Sequence, residues 1–392
     1  MKKFLSFLLA GAMLLGMMAG CSSGSSSGNE EAGEKTLFIG GSGPLTGDYA
    51  TYGLSASRGA QIAADEINAA GGINGYKIIL RYEDDQTDPQ QAVRAYSKLM
   101  DDGMQVSLGA VTSGACVAVT EESQKDGILT LTPSASQKEA AQYDNNFRIC
   151  FLDPDQGRYS ADFIKENNLA TKVATLYDRS NDYSVGVHDA FIARAGEIGL
   201  EVVDTQAFTN QSNTDFSVQL QSIKNSGAEL LFMPFYAQEC AYVLTQADGI
   251  DLDVIFFGVD GMDGILEKIG TENLALTEGV MLLTPFAADA PDEKTQNFVK
   301  KYESEYNMTP DQFAADGYDA IYTIAEAFKY ADCDPNDPDF NRKMIDAMTK
   351  IEVEGLTGTM TWTADGEAHK TATAVVIVDG AYMAYDAWTE LN

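Results

Sequence analysis

The stretch 108–136 reads LGAVTSGACVAVTEESQKDGILTLTPSAS. It holds one arrangement twice: a short apolar run that opens into a small polar loop. The runs 105–111 and 128–132 are of strand type. The loops are Thr112-Ser113-Gly114-Ala115 and Pro133-Ser134-Ala135-Ser136. Small hydroxyl residues with free backbone N–H groups suit a carboxylate, and the start of a following helix adds a favourable dipole. The same residues also fit ordinary strand-to-helix turns with helix caps. A third apolar run, 254–259, ends at Asp260-Gly261. Asp260 reads either as an acid at a sheet edge or as an Asp-Gly turn residue.

Catalytic chemistry has little to work with. The chain has two histidines, His188 and His369. His188 falls inside an expected helix, His369 in a terminal turn, and neither has a nucleophile motif beside it. No GxSxG, HExxH, Walker or GxGxxG pattern occurs in its required context. An enzyme, a cofactor and a metal are therefore not expected. Gly40-Gly41-Ser42-Gly43 loosely resembles a phosphate loop and reads as a turn after the first strand. The formal charge of -33 argues against nucleic acid, because phosphates need clustered Lys and Arg.

The elements that must position these residues alternate. In a chain of 392 residues, strand-type runs and amphipathic helical runs follow one another from Thr36, which predicts α/β architecture with parallel sheets. Helical spacing covers 116–125, between the two polar loops. If their strands are parallel neighbours, both loops lie at one sheet edge, where open α/β sheets hold ligands. The series 36–153 and 154–284 have the same construction, and a terminal group follows both. An economical path returns the chain to the first body and then to the second. That gives lobe 1 as 36–153 plus 285–366 and lobe 2 as 154–284 plus 367–392. Multiple crossings make a hinge rather than a free linker.

Residues 1–21 read as a targeting segment, with Lys2 and Lys3 before an apolar core too short to span a membrane comfortably. The segment ends in Met18-Ala19-Gly20-Cys21, which resembles the cleavage box of bacterial lipoproteins. That resemblance implies cleavage before Cys21 and a lipid on its sulfur, on the outer or periplasmic side of the membrane. Residues 22–35 are Gly/Ser-rich and acidic, as a flexible tether is. Cys116, Cys150, Cys240 and Cys333 match no disulfide framework or zinc pattern. Cys150 and Cys240 read as buried apolar residues, and one bridge stays open.

From about Thr36 to the end, the chain resembles the branched-chain amino-acid-binding proteins, the Leu/Ile/Val receptors of ABC transporters, within the type I periplasmic binding proteins. The segments that carry the likeness are GPLTGDYATYG, GAQIAADEINAAGGINGYKI, YEDDQTDPQQAV, GILTLTPSAS, FRICFLDPDQG, YDRSNDYSVG, FFGVDG, DGYDAIY and TWTADGE. Their order and spacing carry more than any one of them. The resemblance implies two Rossmann-like lobes joined by three crossovers, a monomer that closes over an amino acid and hands it to a membrane permease. It also implies roles. Ser113 binds the ligand carboxylate. Ala135 and Ser136 touch carboxylate and ammonium, Tyr183 covers the ligand, and Asp260 receives the ammonium. Tyr52, Tyr236 and Phe313 wall the side-chain pocket. Some relatives have Glu and Thr where this chain has Asp260 and Ser136. Amides, aromatic acids, other small carboxylates and a purely sensory role stand as alternatives.

Overall fold

The computed structural model describes residues 35–370 and 373–391. The expected signal segment, Cys21 and the tether up to Glu34 lie outside the described residues.

The first series is β1 (Thr36–Gly43), α1 (Ala50–Ala69), β2 (Lys77–Asp84), α2 (Pro89–Asp101), β3 (Val106–Ala110), α3 (Ser113–Asp126), β4 (Thr130–Thr132) and β5 (Asn146–Arg148). Its strands form a parallel sheet in the order β2-β1-β3-β4-β5. The second series is α4 (Asp153–Glu166), β6 (Lys172–Asp178), α5 (Asp182–Ile198), β7 (Glu201–Phe208), α6 (Ser217–Ser226), β8 (Leu230–Met233), α7 (Ala237–Asp248), β9 (Ile255–Gly258), α8 (Ile265–Lys268) and β10 (Met281–Thr284). Next come α9 (Glu293–Tyr306), α10 (Gln312–Ala331), α11 (Phe340–Met348) and a hairpin of β11 (Val353–Gly355) and β12 (Gly358–Met360). The chain closes with β13 (Thr373–Val378), β14 (Ala381–Ala384) and α12 (Tyr385–Leu391). The second sheet runs β14-β13-β10-β9-β8-β6-β7. It is parallel except where β13 meets β10 and β14.

Helices on both faces bury the central strands completely, so β3 and β8 read as continuous apolar runs rather than alternating ones. Ile39, Leu108 and Leu131 of the first sheet share a core with Phe298 and Tyr318 from the later helices and with Trp362 just past the hairpin. The second sheet has a core on each face, and β13 contributes Val375 to one and Val376 to the other. We call these two bodies lobe 1 and lobe 2.

Two local expectations need correction. Gly40-Gly41-Ser42-Gly43 is no turn: it belongs to β1, which pairs on both sides. Pairing in an internal strand outweighs glycine's preference for turns. Thr112 is the residue before α3, and Ser113, Gly114 and Ala115 form the helix's first turn rather than a loop. Asp153-Pro154-Asp155-Gln156-Gly157 likewise opens α4, where Pro suits the first turn and the acids favour its dipole. Residues 381–391 divide into β14 and α12. Among the described residues all four cysteines are free, with Cys116, Cys150 and Cys240 buried.

One helix crossing in lobe 1 is set by glycine. A Cβ at Gly59 in α1 would lie 1.8 Å from Ala314 O, and one at Gly317 in α10 would lie 2.1 Å from Ala56 O. The two backbones therefore touch directly. This crossing places Tyr52 and Phe313, whose rings stand edge to face at 4.8 Å. Gly59→Ala and Gly317→Ala should each destabilise the protein by about 1–3 kcal/mol, as overpacking does. Denaturant midpoints check this, with Gly196→Ala as the control, since a Cβ there meets nothing within 4 Å. Unchanged midpoints for both crossing variants would mean the helices separate freely.

Candidate functional site

Helix starts and loops beyond the carboxyl ends of parallel strands converge between the lobes, the place where α/β sheets hold ligands. From lobe 1 come Tyr52 after β1, Thr112 and Ser113 after β3, Ser134 and Ser136 after β4, and Phe313 at the start of α10. From lobe 2 come Tyr183 after β6, Tyr236 after β8, and Asp260 with Gly261 after β9. Together with Val111 they line one cleft with about 270 Å³ of atom-free space. A wider hollow elsewhere carries Glu267, Asp289, Glu303 and Asp311. Its charged lining is of one sign only.

The lobe 1 wall is a set of donors. Ser113 Oγ accepts from the N–H groups of Ser136 and Gln137, both at 3.2 Å. A hydroxyl accepting two bonds keeps its hydrogen to donate elsewhere. Thr112 Oγ1 is buried without a partner among the described residues. The first turn of α3 begins here: Cys116 N–H donates to Thr112 O at 2.9 Å, so the N–H groups of Ser113, Gly114 and Ala115 precede the first helical bond. Ser134 is otherwise engaged, donating to Val111 O at 2.7 Å.

The lobe 2 wall is acidic. Asp260 is buried, and its Oδ1 accepts from the Tyr183 hydroxyl at 2.5 Å and from Gly261 N–H at 2.7 Å. Burial pushes the carboxyl up to about 6, against the pull of Tyr183, Gly261 and Gln156. Burial and the neighbouring Asp260 together hold the Tyr183 phenol far above its usual range. Gln156 Oε1 accepts from Asp260 N–H at 3.3 Å. Aromatic rings make the remaining wall. Tyr236 stacks on Tyr183 at 5.4 Å and tilts against Tyr52 at 5.2 Å.

Seven of the eight residues singled out in the sequence meet in this cleft: Tyr52, Ser113, Ser136, Tyr183, Tyr236, Asp260 and Phe313. Ala135 is the exception. Its methyl packs beneath the loop with Ala115 and Cys116, its N–H donates to Thr132 Oγ1 at 3.1 Å, and its carbonyl accepts from Arg148 at 2.9 Å. Residues without an assigned role also matter here. Val111, Thr112, Ser134 and Gly261 line the cleft, and Arg148 holds its loop. The fully buried Arg148 guanidinium donates to Ala135 O, Gln137 O and Lys138 O and pairs with Glu367 at 3.0 Å. An arginine inside the apolar run FRICF was the available signal, since such a charge is buried only when paired.

Comparison with known proteins follows the same outline. A family model described as "Periplasmic binding protein" matches residues 36–381. A Leu/Ile/Val-binding protein homolog 3 of Brucella melitensis is 28% identical over 333 residues, covering 84% of this chain and 88% of its own. An amino acid binding protein of Pseudomonas aeruginosa is 30% identical over 340 residues, covering 84% and 86%. The branched-chain amino acid transporter substrate binding protein of Streptococcus pneumoniae, solved in complex with isoleucine, superposes with a TM-score of 0.82 at 28% identity, covering 89% of this chain and 99% of that one. With a match running from β1 into β14 and a cleft between two α/β lobes, the chain belongs to the periplasmic binding protein family, in its type I form.

Proposed function

We propose that this protein captures a small α-amino acid with an apolar side chain between its lobes and delivers it to an ABC transporter permease. The observation that carries the reading is the division of charge across one small cleft. Free hydroxyl and N–H donors stand on lobe 1, a buried acid stands on lobe 2, and aromatic rings close the remaining side. A zwitterion fits that division: its carboxylate takes the Ser113 and Thr112 hydroxyls and the α3 N-terminus, and its ammonium takes Asp260. Ser136, which lines the same cleft and donates its N–H to Ser113 Oγ, serves either group. The aromatic wall of Tyr52, Tyr236 and Phe313 then receives the side chain. Relatives that bind leucine, isoleucine and valine by name support the side-chain class. The lobes, 36–153 plus 285–366 and 154–284 plus 367–392, close by bending at crossovers near Asp153, Pro285 and Gly366. The lipoprotein box at Cys21 supports tethering of the receptor to the outer or periplasmic face of the membrane.

Thermal-shift and calorimetric titration with leucine, isoleucine, valine and benzoate test the ligand class. A ligand at 100 times its Kd adds about 2.7 kcal/mol of stability. Benzoate lacks the ammonium and should add none. Asp260→Ala should fold and lose roughly 2–5 kcal/mol of binding, the cost of removing one partner from a buried charge pair. A folded Asp260→Ala protein that binds its amino acid as tightly as before would overturn the proposed orientation.

The same acid sets a pH dependence. The ammonium pairs with ionised Asp260, so below about pH 6 binding must first displace a proton. Affinity should therefore be flat above that value and fall about tenfold per pH unit beneath it. Calorimetry at pH 5 and pH 7 should show roughly a tenfold loss on acidification, and Asp260→Asn should abolish the step. Equal affinities at the two pH values would place the ammonium elsewhere.

Cys21→Ser tests the anchor, because a lipid and not a spanning helix would hold the protein. The variant should leave the membrane fraction or remain uncleaved. A variant that is cleaved yet stays membrane-bound would rule out lipid attachment at this residue.

A further inference from the structure

One short segment, residues 48–52 at the start of α1, grips lobe 2 at several points. Asp48 O accepts from Lys268 Nζ. The Tyr49 hydroxyl donates to Glu239 Oε1 at 3.0 Å, an oxygen that Asn213 already holds at 2.8 Å. Thr51 Oγ1 donates to Glu267 Oε2 at 3.0 Å. The Tyr52 hydroxyl donates to Gly261 O at 2.7 Å and accepts from Ala237 N–H at 2.9 Å. Packing is equally close: a Cβ at Gly264 would lie 2.8 Å from the Thr51 methyl. Of these lobe 1 residues only Tyr52 lines the cleft. The Tyr49–Glu239 and Thr51–Glu267 bonds join residues that do not line the cleft.

Bonds that exist only when the lobes meet stabilise the closed form whatever fills the cleft. We infer that residues 48–52 are a closure latch, and that Tyr49 and Thr51 are positioning residues that raise ligand affinity from outside the cleft by holding a measurable share of the unliganded protein closed. This rests on the reading of the chain as a lobe-closing receptor. An apparent Kd is the intrinsic one divided by the competent fraction, so loss of a latch bond weakens binding with every ligand contact intact. The two bonds differ in shelter. Glu239 is 3% exposed, whereas Glu267 stands in solvent. Tyr49 therefore contributes more than Thr51, because water screens and competes for an exposed bond.

Tyr49→Phe keeps the ring against Tyr236 and removes only the hydroxyl. Thr51→Val keeps the shape and removes its bond, and Thr51→Ser restores it. With L-isoleucine as the probe, Tyr49→Phe should weaken binding by roughly fivefold, the effect of about 1 kcal/mol per hydrogen bond, and Thr51→Val by about twofold. The loss should appear in the dissociation rate. Small-angle scattering of the unliganded variants should show a larger radius of gyration than wild type, and saturating L-isoleucine should erase the difference. Thr51→Ser should behave as wild type in both measurements. Wild-type affinity in both deletion variants would overturn the latch. So would weaker binding without any change in unliganded scattering, which would make Tyr49 and Thr51 ligand contacts. If the wild type ignores L-isoleucine, the amino-acid reading fails and the unliganded scattering still decides the latch.

Discussion

A carboxylate removed from water must be answered by opposite charge or by hydrogen bonds, and Asp260 is where that requirement falls in this protein. Its answer within lobe 2 is incomplete. A phenol and a main-chain N–H reach Oδ1, yet burial still leaves the group titrating near 6. An acid in that condition gains when a cation arrives, because the cation restores what desolvation took away. Lobe 1 presents the complementary deficit in the leading N–H groups of α3 and the unpartnered Thr112 hydroxyl. Each lobe lacks what the other cannot supply directly, since Asp260 and Ser113 face across a space rather than bond to each other. A molecule bearing both charges a short distance apart satisfies both.

The parallel strands were legible in the sequence for a simple reason. The central ones are buried on both faces, so they stand out as apolar runs between helical stretches, and the loops after β3, β4 and β9 could be named as edge positions. Helix starts were less legible. Ser-Gly has weak helix propensity, and the packing of α3 against its lobe draws it into the first turn, whereas Asp-Pro-Asp carries its own first-turn signal in the proline and the acids. The meeting of Tyr52, Tyr236 and Phe313 had no local signal. It depends on two interlobe relations and on the α1–α10 crossing, which residues 255 positions apart in sequence cannot announce, and it was reached through family resemblance. Resemblance gave Ala135 a contact with the ligand's carboxylate and ammonium; in the structure its N–H donates to Thr132 Oγ1 and its carbonyl accepts from Arg148.

The third crossing between the lobes is firmly held on the lobe 1 side. Arg148 N–H donates to Gly366 O, Trp362 donates to Arg148 O at 2.8 Å, and the Arg148 guanidinium pairs with Glu367. A few residues on, Lys370 meets Asp316 of α10 at 3.0 Å with both side chains buried. Burial pushes the Asp316 carboxyl up to about 7 while Lys370 pulls it down. Such pairs add little net stability compared with apolar residues, but removing one partner is costly. Their effect is therefore on geometry. Arg148 spans from this crossing to the Ala135–Lys138 loop, so the segment that joins the lobes and the loop that carries Ser136 share one buried side chain.

The division of labour within the cleft also sets what such a site discriminates well. Under the proposed function, its polar end would address groups present in every α-amino acid. A compound lacking either charge would leave a buried donor set or Asp260 unmet, a loss of several kcal/mol. Its apolar end is a wall of rings, and a hydrophobic pocket separates side chains differing by one methylene by only about 1–3 kcal/mol. Under the proposed function, any preference among apolar side chains would come from the placement of these rings. Tyr52 is held at its hydroxyl by lobe 2 and at its backbone by the glycine crossing with α10. A ring held at both ends has little freedom to shift, so under the proposed function the α1–α10 crossing would help set the size of the pocket.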